Sequence, residues 1–179
     1  MRFTHALLLA SLASSVVTGC ARDSARASTA FDSSKFVATA LQISTADVDL
    51  GAVAAKRGRL PETRALGAML LREQSELKSA LTALAQRKKV APPEELAQKQ
   101  LARRDNLETL AGQVFDRGYS LGMVQDLNAL IASFEKAEKS DDPELAALAK
   151  QYLPRLSEQR KAASRVLDQL GGSPFEYPP

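Results

Sequence analysis

Between residues 33 and 170, apolar side chains recur at helical spacing in four long runs separated by glycine and proline. No other feature constrains the fold as strongly. Strand-like alternation is absent, so each run predicts an amphipathic helix with one face to bury. The first covers residues 33–57, with its seam at Phe36, Ala40, Ile43, Leu50 and Ala54 and with Asp32 or Ser33 as N-cap. Gly58 and Pro61 break the chain, and a second run covers 61–89 through Leu66, Leu70, Leu77, Leu81 and Leu84. Ala91, Pro92 and Pro93 interrupt it, and a shorter, polar helix is expected over 93–110. Gly112 opens the third long run, 113–139, whose seam is Phe115, Tyr119, Met123, Leu127, Leu130 and Phe134. Asp142 and Pro143 start the last, which carries Leu145, Leu148, Tyr152, Leu156, Ala163, Val166 and Leu170. Pro154 lies inside that helix, where it removes a backbone donor and should kink it. Each long helix would span about 40 Å at 1.5 Å per residue. Short breaks favour antiparallel neighbours. The expected fold is therefore all-α, an antiparallel four-helix bundle over 33–170 with one shorter crossover helix.

The gaps in these seams locate the only candidate site. Asp47 breaks the first, Glu73 and Gln74 the second, and Gln159, with Glu158 beside it, the last; Asp126 stands beside Leu127 in the third. All lie near mid-helix, so an up-and-down bundle brings them to one level. A buried carboxylate must be paired, hydrogen-bonded or neutral. The plainer expectation is a polar layer in which Gln74 and Gln159 satisfy Asp47 around Leu127. The sharper one is a metal or small-ligand site built from Asp47, Glu73, Asp126 and Glu158.

The N-terminus has a different character. Arg2 is followed by an apolar stretch over 6–17 and by small residues ending in Val17, Thr18, Gly19 and Cys20. About 12 apolar residues are too few to span a bilayer as a helix, which takes roughly 20. Charge, short apolar core and small residues mark a removable signal. The stretch resembles a bacterial lipoprotein signal, with cleavage before Cys20 and lipid on that cysteine. The resemblance implies a membrane-anchored envelope protein, and Ala21 after the cysteine favours the outer over the inner membrane. Acyl chains contribute about 0.8 kcal/mol per buried methylene, so several chains hold firmly where one does not. Residues 20–32 then read as the lipidated cysteine and a flexible tether, and 171–179 as a tail.

Composition narrows the chemistry further. Cys20 is the only cysteine and His5 the only histidine, and His5 leaves with residues 1–19. The domain therefore lacks the residues for Ser-His-Asp or Cys-His catalysis, for histidine-bound metals, for iron–sulfur clusters and for disulfides. No glycine-rich phosphate loop is present. No catalytic residue, metal ligand set or cofactor is assigned, and the chain is not expected to be an enzyme. The net charge of +3, with tryptophan absent and aromatics at 5 %, gives no footprint for nucleic acid. Arg87, Lys88 and Lys89, and Arg103 and Arg104, read as solvated helix ends and faces. The expected partners are the membrane, through Cys20, and an envelope protein.

Several stretches carry a wider resemblance: Phe36-Val37, residues 46–51, Phe115-Asp116-Arg117-Gly118-Tyr119, Met123-Val124, Phe134-Glu135-Lys136 and Leu153-Pro154-Arg155-Leu156. Over residues 35–167 the chain resembles the DUF4142 family of bacterial envelope proteins. That resemblance implies a ferritin-like four-helix domain of unknown function. It also implies Glu at the position of Asp47, Asp-His at Glu73-Gln74 and at Asp126-Leu127, and His at Gln159. This chain keeps the scaffold residues and lacks all three histidines, so a metal or acid–base role served by them would be lost here. Within residues 115–119 the two aromatics sit four apart on one face and read as core. Asp116 and Arg117 read as local capping or ion-pair residues.

Overall fold

A computed structural model describes residues 31–93 and 98–171. The segment read as a signal, Cys20, the expected tether up to residue 30 and the expected tail over 172–179 lie outside the described residues. Five helices follow in order: α1 (Ser33–Arg57), α2 (Pro61–Lys88), α3 (Gln98–Thr109), α4 (Gly112–Glu138) and α5 (Pro143–Gln169). The starts of α1 and α5 follow the expected cap chemistry. Asp32 accepts from the Lys35 amide at 2.9 Å, and Asp142 accepts from the amides of Glu144 and Leu145. Lys88 approaches Asp142 to 2.5 Å. Its hydrogen bond, with those amides, holds the Asp142 carboxyl below its ordinary range. Lys89 takes the left-handed conformation (φ 55°) as α2 ends. Helix α5 runs through Pro154 without ending there.

The contacts between helix ends fix the topology. Phe36, near the start of α1, meets Phe134, near the end of α4, edge to face at 5.0 Å. Arg57, at the end of α1, lies 5.2 Å over the Phe115 ring near the start of α4. Arg87, late in α2, pairs with Glu144 at the start of α5. Adjacent helices are therefore antiparallel around the ring α1, α2, α5, α4. The connection from α2 to α4 must travel the length of the bundle, and α3 lies on that path, against α1 and α4.

Leu70, Leu81, Met123, Leu127, Leu130, Phe134, Leu145 and Leu156 are wholly buried. Each contributes roughly 1.5–3 kcal/mol relative to exposure. The seam between α1 and α2 is tighter than leucine packing allows. A β-carbon on Gly67 would sit 2.5 Å from the Ala55 amide nitrogen, and one on Gly51 would sit 2.9 Å from the Gly67 carbonyl oxygen. These two helices touch backbone to backbone. By length and composition α1 could cross a membrane, yet just over half of its most apolar stretch is buried inside the bundle. Its hydropathy is that of a core helix.

Candidate functional site

The polar mid-helix residues form two sets. In one, between α2 and α5, Gln74 Nε2 donates to Gln159 Oε1 at 2.8 Å, and Gln159 Nε2 donates to Glu73 Oε2 at 2.8 Å. Gln74 and Gln159 are buried and Glu73 lies nearer the surface. The amides at this level bond each other and Glu73. Gln74 Oε1 has no hydrogen-bond partner among the described residues.

The second set lies where α3 covers α1 and α4. Asp47 is fully buried, and neither of its carboxylate oxygens has a hydrogen-bond partner among the described residues. The expectation that Gln74 and Gln159 satisfy it is corrected by this geometry. The positive group acting on Asp47 is Arg103 of α3. Burial pushes the Asp47 carboxyl up to about 7, and the Arg103 charge opposes the rise. Burial also draws the Arg103 guanidinium below its ordinary value, against the pull of Asp47. Arg103 makes a charge-assisted hydrogen bond to Asp126 of α4, with side chains only 14 % and 8 % exposed. The Tyr119 hydroxyl is buried without a partner among the described residues. Its ionisation is pushed well above the ordinary value by burial and by Asp47.

Arg103 is not the solvated charge expected from the sequence: it is mostly buried and bonded to Asp126. A short polar helix with Leu107 as its one buried residue gives no strong amphipathic signal. The available signal lay on α4, where Gly118, Gly122 and Asp126 follow at intervals of four on one face. A β-carbon on Gly122 would lie 3.3 Å from Cδ and Nε of Arg103. The glycine thus lowers the wall of α4 at the point where the guanidinium passes towards Asp126.

The remaining expected members separate. Leu127 is wholly buried apolar core. Glu158 faces solvent, 65 % exposed, and pairs with Lys161 on its own helix at 2.8 Å. Its place in the candidate layer is therefore corrected, because it stands one residue before Gln159 and off the inward face. Among the described residues no three or more carboxylate, histidine or cysteine side chains come together as a metal-ligand set. Glu73 is bonded to Gln159, Asp126 to Arg103 and Glu158 to Lys161, so the donor chemistry present does not fit the metal site considered from the sequence.

The motif at the start of α4 does structural work across the fold. Asp116 is fully buried, and its two oxygens accept from the amides of Arg59 and Leu60, each at 2.9 Å. Leu60 is the N-cap of α2 and makes no side-chain cap of its own, so Asp116 caps α2 from a distance. The capping expectation holds, but the contact is between helices and not local. Arg117 donates to the Leu170 carbonyl at the end of α5 at 3.3 Å. Arg57 donates to the Leu110 and Glu108 carbonyls that follow and end α3. The sequence profile described as "Domain of unknown function (DUF4142)" matches residues 18–166. The chain belongs to the DUF4142 family. No curated protein and no solved structure matches it. In this DUF4142 chain the Phe-Asp-Arg-Gly-Tyr stretch is thus explained as a clamp on two helix ends, with Phe115 and Tyr119 stacked at 6.2 Å beneath it.

Proposed function

We propose that this chain is a lipid-anchored protein of the bacterial envelope whose bundle is a non-catalytic binding or structural module. One observation carries the reading of the bundle. Among the polar groups at mid-bundle, Glu73, Gln74 and Gln159 bond one another and Asp126 bonds Arg103, so that these contacts cross between helices instead of converging on a common point. Side chains held this way fix helix register. The absence of histidine and cysteine from residues 21–179 supports the same reading. The anchor rests on residues 1–20, and the tether would set the bundle off the membrane, facing the periplasm, with the outer membrane favoured.

Elemental analysis after incubation with iron, manganese or zinc tests the bundle. Metal well below one equivalent in each case is expected, and one equivalent or more overturns the non-catalytic reading. The anchor is tested by Cys20→Ser, which should block processing or release the chain from the membrane fraction. Retention there at the same processed mass would remove the anchor from the proposal.

A further inference from the structure

Arg103 enters a recess made by other helices. Its side chain crosses α4 at Gly122, where any β-carbon would press on Cδ and Nε. It bonds Asp126 and acts on Asp47 from the side of α1. Yet both Asp47 oxygens lack a hydrogen-bond partner among the described residues, as does the buried Tyr119 hydroxyl, which feels the Asp47 charge. One guanidinium thus serves two carboxylates, with a phenol acted on by the second, and the recess offers more acceptors than it satisfies. The helix delivering it is the shortest in the fold. Leu107 is its one buried residue, and a groove of about 410 Å³ opens beside Arg103 between α3 and α4.

We propose that Asp47, Asp126 and Tyr119, behind the notch at Gly122, form a receptor for a guanidinium group, with Arg103 as its built-in and displaceable occupant. The ligand class follows from the occupant and the geometry. A guanidinium is planar, presents five donors in a fork and is more weakly hydrated than an ammonium, so it suits two carboxylates on facing helices. The residue presenting it here is on a helix, so the partner that fits is a helix carrying an exposed arginine. Naming that partner rests on the binding-module reading. The receptor itself does not.

The test uses the full chain and ethylguanidinium as probe. Arg103→Ala should lower Tm and speed hydrogen exchange in α3 at least tenfold. Millimolar ethylguanidinium should return more than half of the lost Tm, while ethylammonium and sodium at equal ionic strength should not. The rescue should vanish in the Arg103→Ala, Asp126→Asn double variant. In the unsubstituted chain, saturating ethylguanidinium should speed α3 exchange by displacing Arg103. Absence of rescue, equal rescue by ethylammonium, or rescue persisting in the double variant overturns the receptor. If Arg103→Ala does not fold, Arg103→Lys keeps the charge and takes its place. It should exchange faster in α3 and gain Tm with ethylguanidinium but not with ethylammonium, and no selective gain overturns the proposal. Failure here leaves the bundle as a module of another kind, whereas stoichiometric metal would overturn the module and leave the rescue to be read by itself.

Discussion

Two aspartates are fully buried in this bundle, and they are in opposite condition. Asp116, at one end, has both oxygens held by backbone amides at 2.9 Å. Asp47, in the middle, has neither oxygen hydrogen-bonded among the described residues and answers only to the charge of Arg103. Burial is equal, so what separates the two is the supply of oriented donors. Asp116 joins two helices through fixed geometry, and Asp47 is left to titrate near neutrality.

Removing the charge that Asp47 and Asp126 share should have the largest effect. Arg103→Ala leaves Asp126 buried without its partner and should cost about 3 kcal/mol in urea unfolding at pH 7. The other side of the comparison breaks with Asp116→Ala, which strips partners from two partly buried amides at the start of α2. A loss of about 2 kcal/mol is expected, with hydrogen exchange rising first at residues 59 and 60. Asp47→Asn sharpens the contrast through pH. The native carboxyl sits above its unfolded value of 3.8, at about 7, so the folded state holds the proton more tightly between them. Its contribution is therefore fullest below about pH 4 and is lost as pH rises to about 7. The asparagine variant should lack that slope and, at pH 8, exceed the unsubstituted chain by about 1–2 kcal/mol. An unchanged slope would place the titration elsewhere. The smallest effect is expected from Gln159→Leu. It removes two hydrogen bonds but adds apolar volume, and a change within about 1 kcal/mol is expected in the same unfolding experiment.

Much of this architecture was legible in the sequence because local signals agreed with one another. Asp32, Pro61, Asp142 and Pro143 mark helix starts by their own chemistry, and α1 begins and ends where its seam and caps place it. That Gln74 and Gln159 stand at one level was legible too, since a break in an apolar seam at matching height is a one-dimensional clue, but their bond to each other was not. What escaped was set by the partner and not by the residue. Arg103 looks like any charge on a polar helix until Gly122 and Asp126 are seen opposite it. Asp47 looks as though amides should serve it until those amides are found bonded elsewhere. Glu158 and Gln159 are neighbours in sequence but differ by about 100° around the helix, enough to send one into water and the other into the core.

The reach of Asp116 also orders events in time. Synthesis delivers α1 and α2 first, and their glycine seam at Gly51 and Gly67 can close as soon as both exist. The two amides that lead into α2, those of Arg59 and Leu60, then wait for a carboxylate 57 and 56 residues further along the chain. The early hairpin therefore remains unfinished at one end until the first turn of α4 arrives. A chain interrupted before residue 116 would hold a close-packed pair of helices with a frayed tip, the kind of incomplete species on which a protease acts before the second hairpin can protect it.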